Sequence, residues 1–260
     1  MMETTSRIRR WSRTAGLAAV LAAMTTQQAL TDEVDPADGL PVEQVEKIVR
    51  DYLMREPEII YQALEELQRR QAAAQVEQQK LALVSSKDQL LNDPATPVAG
   101  NPDGDVALVE FFDYRCGYCR RVLSSMQALM SEDDQLKVVF KELPVLGEDS
   151  VRAARAALAS QMQDKNLYLD FHLALMTADD LSAEGIRAIA AEIGFDPDQL
   201  EQDMDSEGVS LAIDANYQLA SALGIEGTPA FVIGETLVPG AVDKQRLASL
   251  IEEARAAATN

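Results

Sequence analysis

The chain holds two cysteines, and they stand together as Cys116-Gly117-Tyr118-Cys119 between an apolar run at 106–112 and a stretch of helical periodicity reaching about residue 131. A second apolar run follows at 136–143. Strand, helix and strand at this spacing predict a right-handed parallel unit, with the cysteines at the carboxyl end of its first strand, where open α/β sheets bind and react. A helix that opens at a Cys-x-x-Cys aims unpaired N–H groups and the positive end of its dipole at the first sulfur, which favours negative charge on Cys116. Cys119 lies one turn further in, within disulfide reach. The pair reads as a redox-active disulfide that needs no further cofactor. One histidine and two cysteines fall short of the tetrahedral ligand set of a closed zinc site, so no metal site is expected.

At 260 residues and 47% hydrophobic, with 13 Gly and 10 Pro, the composition is that of a soluble, helix-rich globular chain of one or two domains. A formal charge of −20 excludes nucleic acid and anionic lipid as main partners, because both are bound by clustered Lys and Arg. Arg7, Arg9, Arg10 and Arg13 precede an apolar stretch at 15–24 and then polar residues up to Ala29. That order predicts an export signal over residues 1–30, its apolar part too short to span a bilayer. An uncleaved amphipathic anchor is the alternative. Export agrees with the cysteine pair, since disulfides persist in oxidising compartments.

Residues 31–100 read as a helical region followed by a linker. Val42, Val45, Ile48, Val49, Tyr52 and Leu53 form one apolar stripe at helical spacing, with Pro41 as the first helical residue. From Pro57 to about residue 92 neither Gly nor Pro interrupts, which predicts a helix of about 35 residues if it is continuous. Ile60, Leu64, Leu67, Gln71, Ala74, Gln78 and Leu81 follow the steps of a heptad seam with a polar middle. Two readings stay open: a self-associating region, or a spacer docked on its own catalytic domain. The turn-rich segments 92–97 and 100–104 mark the boundary to a domain over 101–260. There the pattern is β-α-β, then helices from 149 to about 222, then strands at 229–233 and 236–238 around Gly234-Glu235, and a closing helix over 242–258.

This order, with Gly224-Ile225-Glu226-Gly227-Thr228-Pro229 ahead of the final hairpin, resembles the thioredoxin superfamily. The helical insertion is similar to that of the DsbA-like branch of bacterial periplasmic disulfide oxidoreductases. The fold class implied is α/β, a thioredoxin fold with a helical insertion, preceded by an extended helical N-terminal region. The resemblance implies a cis peptide bond at Pro229, facing the cysteines across a substrate groove in which Thr228 offers main-chain contacts and sets its hydroxyl near Cys116. Gly117-Tyr118 departs from the Pro-His dipeptide of strongly oxidising DsbA enzymes and looks like that of the isomerase DsbC. Without a neighbouring histidine cation the disulfide is expected to be a weaker oxidant. Residues 45–53 followed by 57–60 resemble the N-terminal domain of the ScsC family, the suppressor-of-copper-sensitivity C group, a resemblance that covers about residues 40–92. That implies a homo-oligomer, trimers being known, and a membrane reductase of the DsbD type as partner.

Glu110 stands inside the apolar run, where an unpaired carboxylate is costly to bury. DsbA-like proteins also place a buried acid six residues ahead of the first cysteine, which implies that Glu110 takes the proton of Cys119. Lys141, on the next strand, is its expected partner; a solvent-exposed acid at the strand end is the alternative. His172 is expected to be a core histidine rather than a catalytic one. The expected activity is reduction or isomerisation of disulfides in exported client proteins. A DsbA-type oxidase and a Cu(I)-binding protein holding the metal between two thiolates are the rival readings.

Overall fold

The computed structural model describes residues 39–258, so the export-signal reading of residues 1–30 lies outside the described residues. The described residues fall into two compact units, 39–61 and 62–258. In the first, helix α1 (Val42–Arg55) begins one residue after Pro41, which caps it from outside. No residue of α1 is buried, and Val45, Ile48, Val49 and Tyr52 are all exposed. Val42, Val45, Val49 and Leu53 line a shallow apolar cavity together with Leu40 and Ile60.

Helix α2 (Glu58–Ser85) starts in this unit and ends in the second. The run without Gly or Pro is therefore 28 residues of helix, then a turn at Ser86 and the short helix α3 (Lys87–Leu91). Leu83 and Leu90 enter the core on either side of that turn, while Leu81 and Val84 stay exposed. Gln79 donates to the carbonyl of Leu223, and Lys80 pairs with Glu235 at the tip of the last hairpin.

The second unit is built on five strands: β1 (Val98–Gly100), β2 (Val106–Phe112), β3 (Leu136–Glu142), β4 (Ala230–Ile233) and β5 (Thr236–Pro239), in the order β1-β3-β2-β4-β5. Only β2 and β3 are parallel, joined through helix α4 (Gly117–Glu132). Strand β1 falls inside the segment read as a linker. It is a three-residue edge strand, too short to show a period of two, and it ends at Gly100, whose φ of +71° favours glycine and where a Cβ would meet the Leu136 carbonyl oxygen at 2.4 Å.

Helices α5 (Glu148–Gln163), α6 (Tyr168–Thr177), α7 (Ala183–Ile193), α8 (Pro197–Met204) and α9 (Glu207–Ala222) form the insertion, and α10 (Lys244–Ala258) closes the chain. The side chains of Ser182, Asp196 and Ser206 cap α7, α8 and α9, each accepting from main-chain N–H groups two or three residues on. Among the described residues no helix is long and apolar enough to cross a membrane.

Alternation along β2 divides two cores. Leu108 and Phe112 face α4, α10 and the insertion; Val109 and Phe111 face Leu83, Leu90, Leu219 and Leu223. Glu110 shares the α4 face. Because Glu110 is in register with Phe140, and Phe111 with Lys141, Lys141 projects to the other side of the sheet. The expected Glu110–Lys141 pair is thus excluded by the pleat. Lys141 Nζ instead donates to Thr96 Oγ1 at 2.5 Å and reaches Asp93 Oδ2 at 3.4 Å, tying the 93–96 turn to the sheet. The acid that does share the face of Glu110 is Glu142, opposite Phe112.

Two outcomes follow from this packing. Leu83→Ala is expected to lower the unfolding free energy by about 2–4 kcal/mol in urea titrations, whereas Leu81→Ala, 61% exposed, stays within about 0.5 kcal/mol. Equal effects would contradict docking of the end of α2. Burial also pushes the carboxyls of Glu110 and Glu142 up to about 8. Between an ordinary glutamate value of 4.5 and about 8 the unfolded chain ionises while the folded chain keeps these protons, so stability falls as pH rises through that window and levels off above it. Glu110→Gln and Glu142→Gln should each flatten that fall, by on the order of 3–5 kcal/mol when denaturation midpoints are followed across the window.

Candidate active site

Strand β2 ends at Phe112, and residues 113–116 turn the chain into α4. Cys116 occupies the N-cap of α4 in extended conformation, and its sulfur accepts from the main-chain N–H of Cys119 at 3.4 Å. This is the arrangement in which a helix start offers donors to an anion. Both thiols are unbonded. Across from them the Thr228–Pro229 bond is cis, and the Cys116 thiol donates to the carbonyl oxygen of Thr228 at 3.3 Å. The motif before the hairpin and the cysteine motif, 112 residues apart, thus meet at one sulfur. Thr228 makes this contact through its main chain, while the sequence had pointed to its hydroxyl as well.

The two cysteines differ in environment. Cys119 is fully buried, and burial drives its thiol far up; a main-chain hydrogen bond from Asp113 opposes this, while Cys116 and the charge of Glu110 add to it. A group so placed loses its proton only to a nearby acceptor. Glu110, itself buried on the α4 face and held protonated up to about 8, is a titratable side chain whose charge, with that of Cys116, bears on Cys119. The exposed strand-end alternative for Glu110 is excluded by its 4% exposure.

Gly117 and Tyr118 stand at the surface. A Cβ on Gly117 would meet open space, so packing does not demand glycine there. The Tyr118 ring is exposed and carries the Arg121 guanidinium 4.1 Å from its centroid, a cation–π contact beside the cysteines.

Four buried polar residues near the site were not singled out from the sequence. Asp113 is 1% exposed, and its carboxylate accepts from Arg115 N, Ser150 Oγ, Val145 N and Leu146 N at 2.7–3.0 Å. Its side-chain bond two residues ahead is an Asx turn, a signal that Asp directly after an apolar run carries. Tyr114 lies 3.0 Å from Nδ1 of His172, and Tyr168 donates to Glu142 Oε1 at 3.0 Å. His172 is the core histidine expected: burial drops it to about 3, and Phe112, Phe140 and Tyr168 pack around its ring. Glu142 had no signal in a sequence that offered two neighbouring charges, Lys141 and Glu142, on opposite faces.

Comparison with known proteins fits this geometry. The model of the DSBA-like thioredoxin domain matches residues 107–252, and that of the copper resistance protein ScsC N-terminal domain matches residues 42–74. A thioredoxin-like oxidoreductase from Silicibacter pomeroyi DSS-3 is 46% identical, covering 65% of this chain and 96% of that one, with a TM-score of 0.62. The catalytic domain of Proteus mirabilis ScsC is 32% identical over 68% of this chain and 98% of that one, with a TM-score of 0.63. A curated relative, the Na(+)/H(+) antiporter NhaA of Herminiimonas arsenicoxydans, is 29% identical over 64% of this chain, which spans only 27% of that protein's length. With a dithiol at a helix start, a cis-proline loop against its first sulfur and these matches, the chain belongs to the DsbA-like thioredoxin family of thiol-disulfide oxidoreductases, with an ScsC-type segment ahead of that domain.

Proposed function

We propose that this protein is exported to the bacterial periplasm and there reduces or isomerises disulfides in client proteins, with Cys116 as nucleophile. The observation that carries the reading is the asymmetry of the pair. Cys116 accepts a main-chain N–H at the start of α4 and touches the Thr228 carbonyl, while Cys119 is sealed beneath it. The Cys116 thiolate attacks a client disulfide, one client sulfur leaves as thiolate, and a mixed disulfide forms. If the client rearranges, its own thiolate displaces Cys116 and the enzyme returns reduced. If it stalls, Glu110 in its carboxylate form takes the Cys119 proton, the Cys119 thiolate attacks the Cys116 sulfur, and the client leaves with its disulfide reduced. The dithiol is then restored by a reductase of the DsbD type.

Two features favour reduction and isomerisation over oxidation. Gly117-Tyr118 supplies no cation between the cysteines, so nothing in the dipeptide stabilises the reduced pair as a histidine would. The segment matching the ScsC N-terminal domain carries an apolar face on α1 with no buried residue, which suits self-association into a trimer or similar oligomer. Several active sites around one client raise the local concentration of thiol at a wrong disulfide.

The full chain is expected to restore activity to scrambled ribonuclease, and Cys116→Ser to abolish this. A protein that oxidises reduced ribonuclease efficiently yet restores nothing to the scrambled form is an oxidase, and the reading fails. Light scattering of the full chain should give a multiple of the chain mass. A double substitution, Val45→Glu with Leu53→Glu, should bring it to one chain and reduce isomerisation severalfold, leaving simple disulfide reduction intact. Unchanged mass in that variant would place the contact elsewhere.

A further inference from the structure

Acidic residues outnumber basic ones 43 to 23 in this chain, so an exposed arginine usually finds a carboxylate. Arg69 and Arg70 share Glu66, Arg187 holds Asp198 and Glu201, and beside the site Arg115 and Arg152 share Asp149. Arg121 has no such partner. Among the described residues its exposed side chain makes no hydrogen bond and no ion pair, and the guanidinium lies over the Tyr118 ring, 4.1 Å from the centroid. Arg50 and Arg120 also lack an acid, but Arg50 belongs to α1, and Arg120 spends its donors on the carbonyl oxygens of Tyr114 and Ala178. Helical side chains lean toward the N-terminus of their helix. Arg121 leans back over the second residue of α4, which carries its charge toward the end where Cys116 stands. Tyr118 is 58% exposed, so ring and cation form a platform open to whatever approaches that sulfur, with the guanidinium N–H groups facing solvent.

We propose that Arg121, laid over the Tyr118 ring, is a specificity-determining residue that favours client polypeptides carrying a carboxylate close in sequence to the cysteine under attack. This rests on the reading that Cys116 attacks client disulfides. In an extended segment the residue two places from a cysteine lies about 7 Å from it, with its side chain on the same side. From Cys116 to Arg121 the helix rises about 7.5 Å, and the guanidinium turns back toward the helix start. A Glu or Asp two residues from a client cysteine therefore comes within reach of Arg121 as that cysteine meets Cys116. The guanidinium presents paired N–H donors that match a carboxylate, and stacking on the ring holds this fork in place, so less freedom is lost when the pair forms. The preference acts on the first step: the bond from Cys116 to one client sulfur forms, the client S–S bond breaks, and the departing sulfur keeps the electron pair as thiolate. A net charge of −20 repels acidic clients at long range. Salt screens that repulsion over about 8 Å at physiological strength, which leaves the choice among clients to contacts near the sulfur.

The test uses the reduced full chain and three disulfide-linked peptide dimers of one sequence, with Glu, Gln or Lys two residues after the cysteine. Reactions are quenched with acid, and the released peptide thiol is followed by chromatography to give a second-order rate constant for each dimer. The protein dithiol is oxidised and each dimer is reduced to two peptide thiols. The quantity read is the ratio of the Glu-peptide rate to the Gln-peptide rate, from which the intrinsic reactivity of Cys116 cancels. Arg121→Gln should lower that ratio about threefold and Arg121→Glu should lower it further, while the Lys-to-Gln ratio rises in the same order. Ratios that are equal in the wild type and both variants overturn the inference and leave the proposed function standing. So does an equal loss of rate on all three peptides. A wild type that reduces none of the peptides overturns the reading of Cys116 and the inference with it.

Discussion

The parallel pairing of β2 with β3 decides where every group of this site points. Glu110 opposite Phe140 and Phe112 opposite Glu142 put both acids on the α4 side of the sheet, among the aromatic rings of the first core. A slip of one residue would turn Glu110 toward Lys141's side and leave Cys119 over an apolar strand. The register is held by apolar residues on both faces: Leu108, Val138 and Phe140 on one, Val109, Phe111 and Val139 on the other. Neither face can be surrendered to water, so the alternation is locked and a carboxyl is carried into the core with it.

That carboxyl is the chemical counterweight to a sealed sulfur. Cys116, the nucleophile of the proposed reaction, sits at the helix start against the Thr228 carbonyl. Cys119 is buried, and its thiol is hard to ionise. In the proposed reaction the carboxylate form of Glu110 is the acceptor for that thiol, and burial brings its titration close to neutrality. On that reading stability is lowered for function: a glutamine at the same place would fold more stably at neutral pH and take no proton.

Much of this was legible in the sequence because the relevant signals are local. The Cys116-x-x-Cys119 spacing, the apolar runs on either side of α4 and the Thr228-Pro229 pair each announce their structure within a few residues. The Glu110 partner was misread because β3 offers Lys141 beside Glu142, and only the inter-strand register tells which of the two shares a face with Glu110. Strand β1 escaped because three residues at a sheet edge carry no periodicity, and the turn ahead of it looks like a linker until Lys141 is seen to hold Thr96 and Asp93. Asp113 escaped for a related reason: its partners Val145, Leu146 and Ser150 lie more than thirty residues away.

The account turns on a glutamate that stays protonated under a resolving thiol. The carboxyl carbon resonance of Glu110, followed by NMR in the dithiol form across the pH range, measures this directly. Titration with a midpoint near 8 is the predicted result. A midpoint near 4.5, that of an ordinary glutamate, would contradict it and show a carboxyl that burial does not perturb.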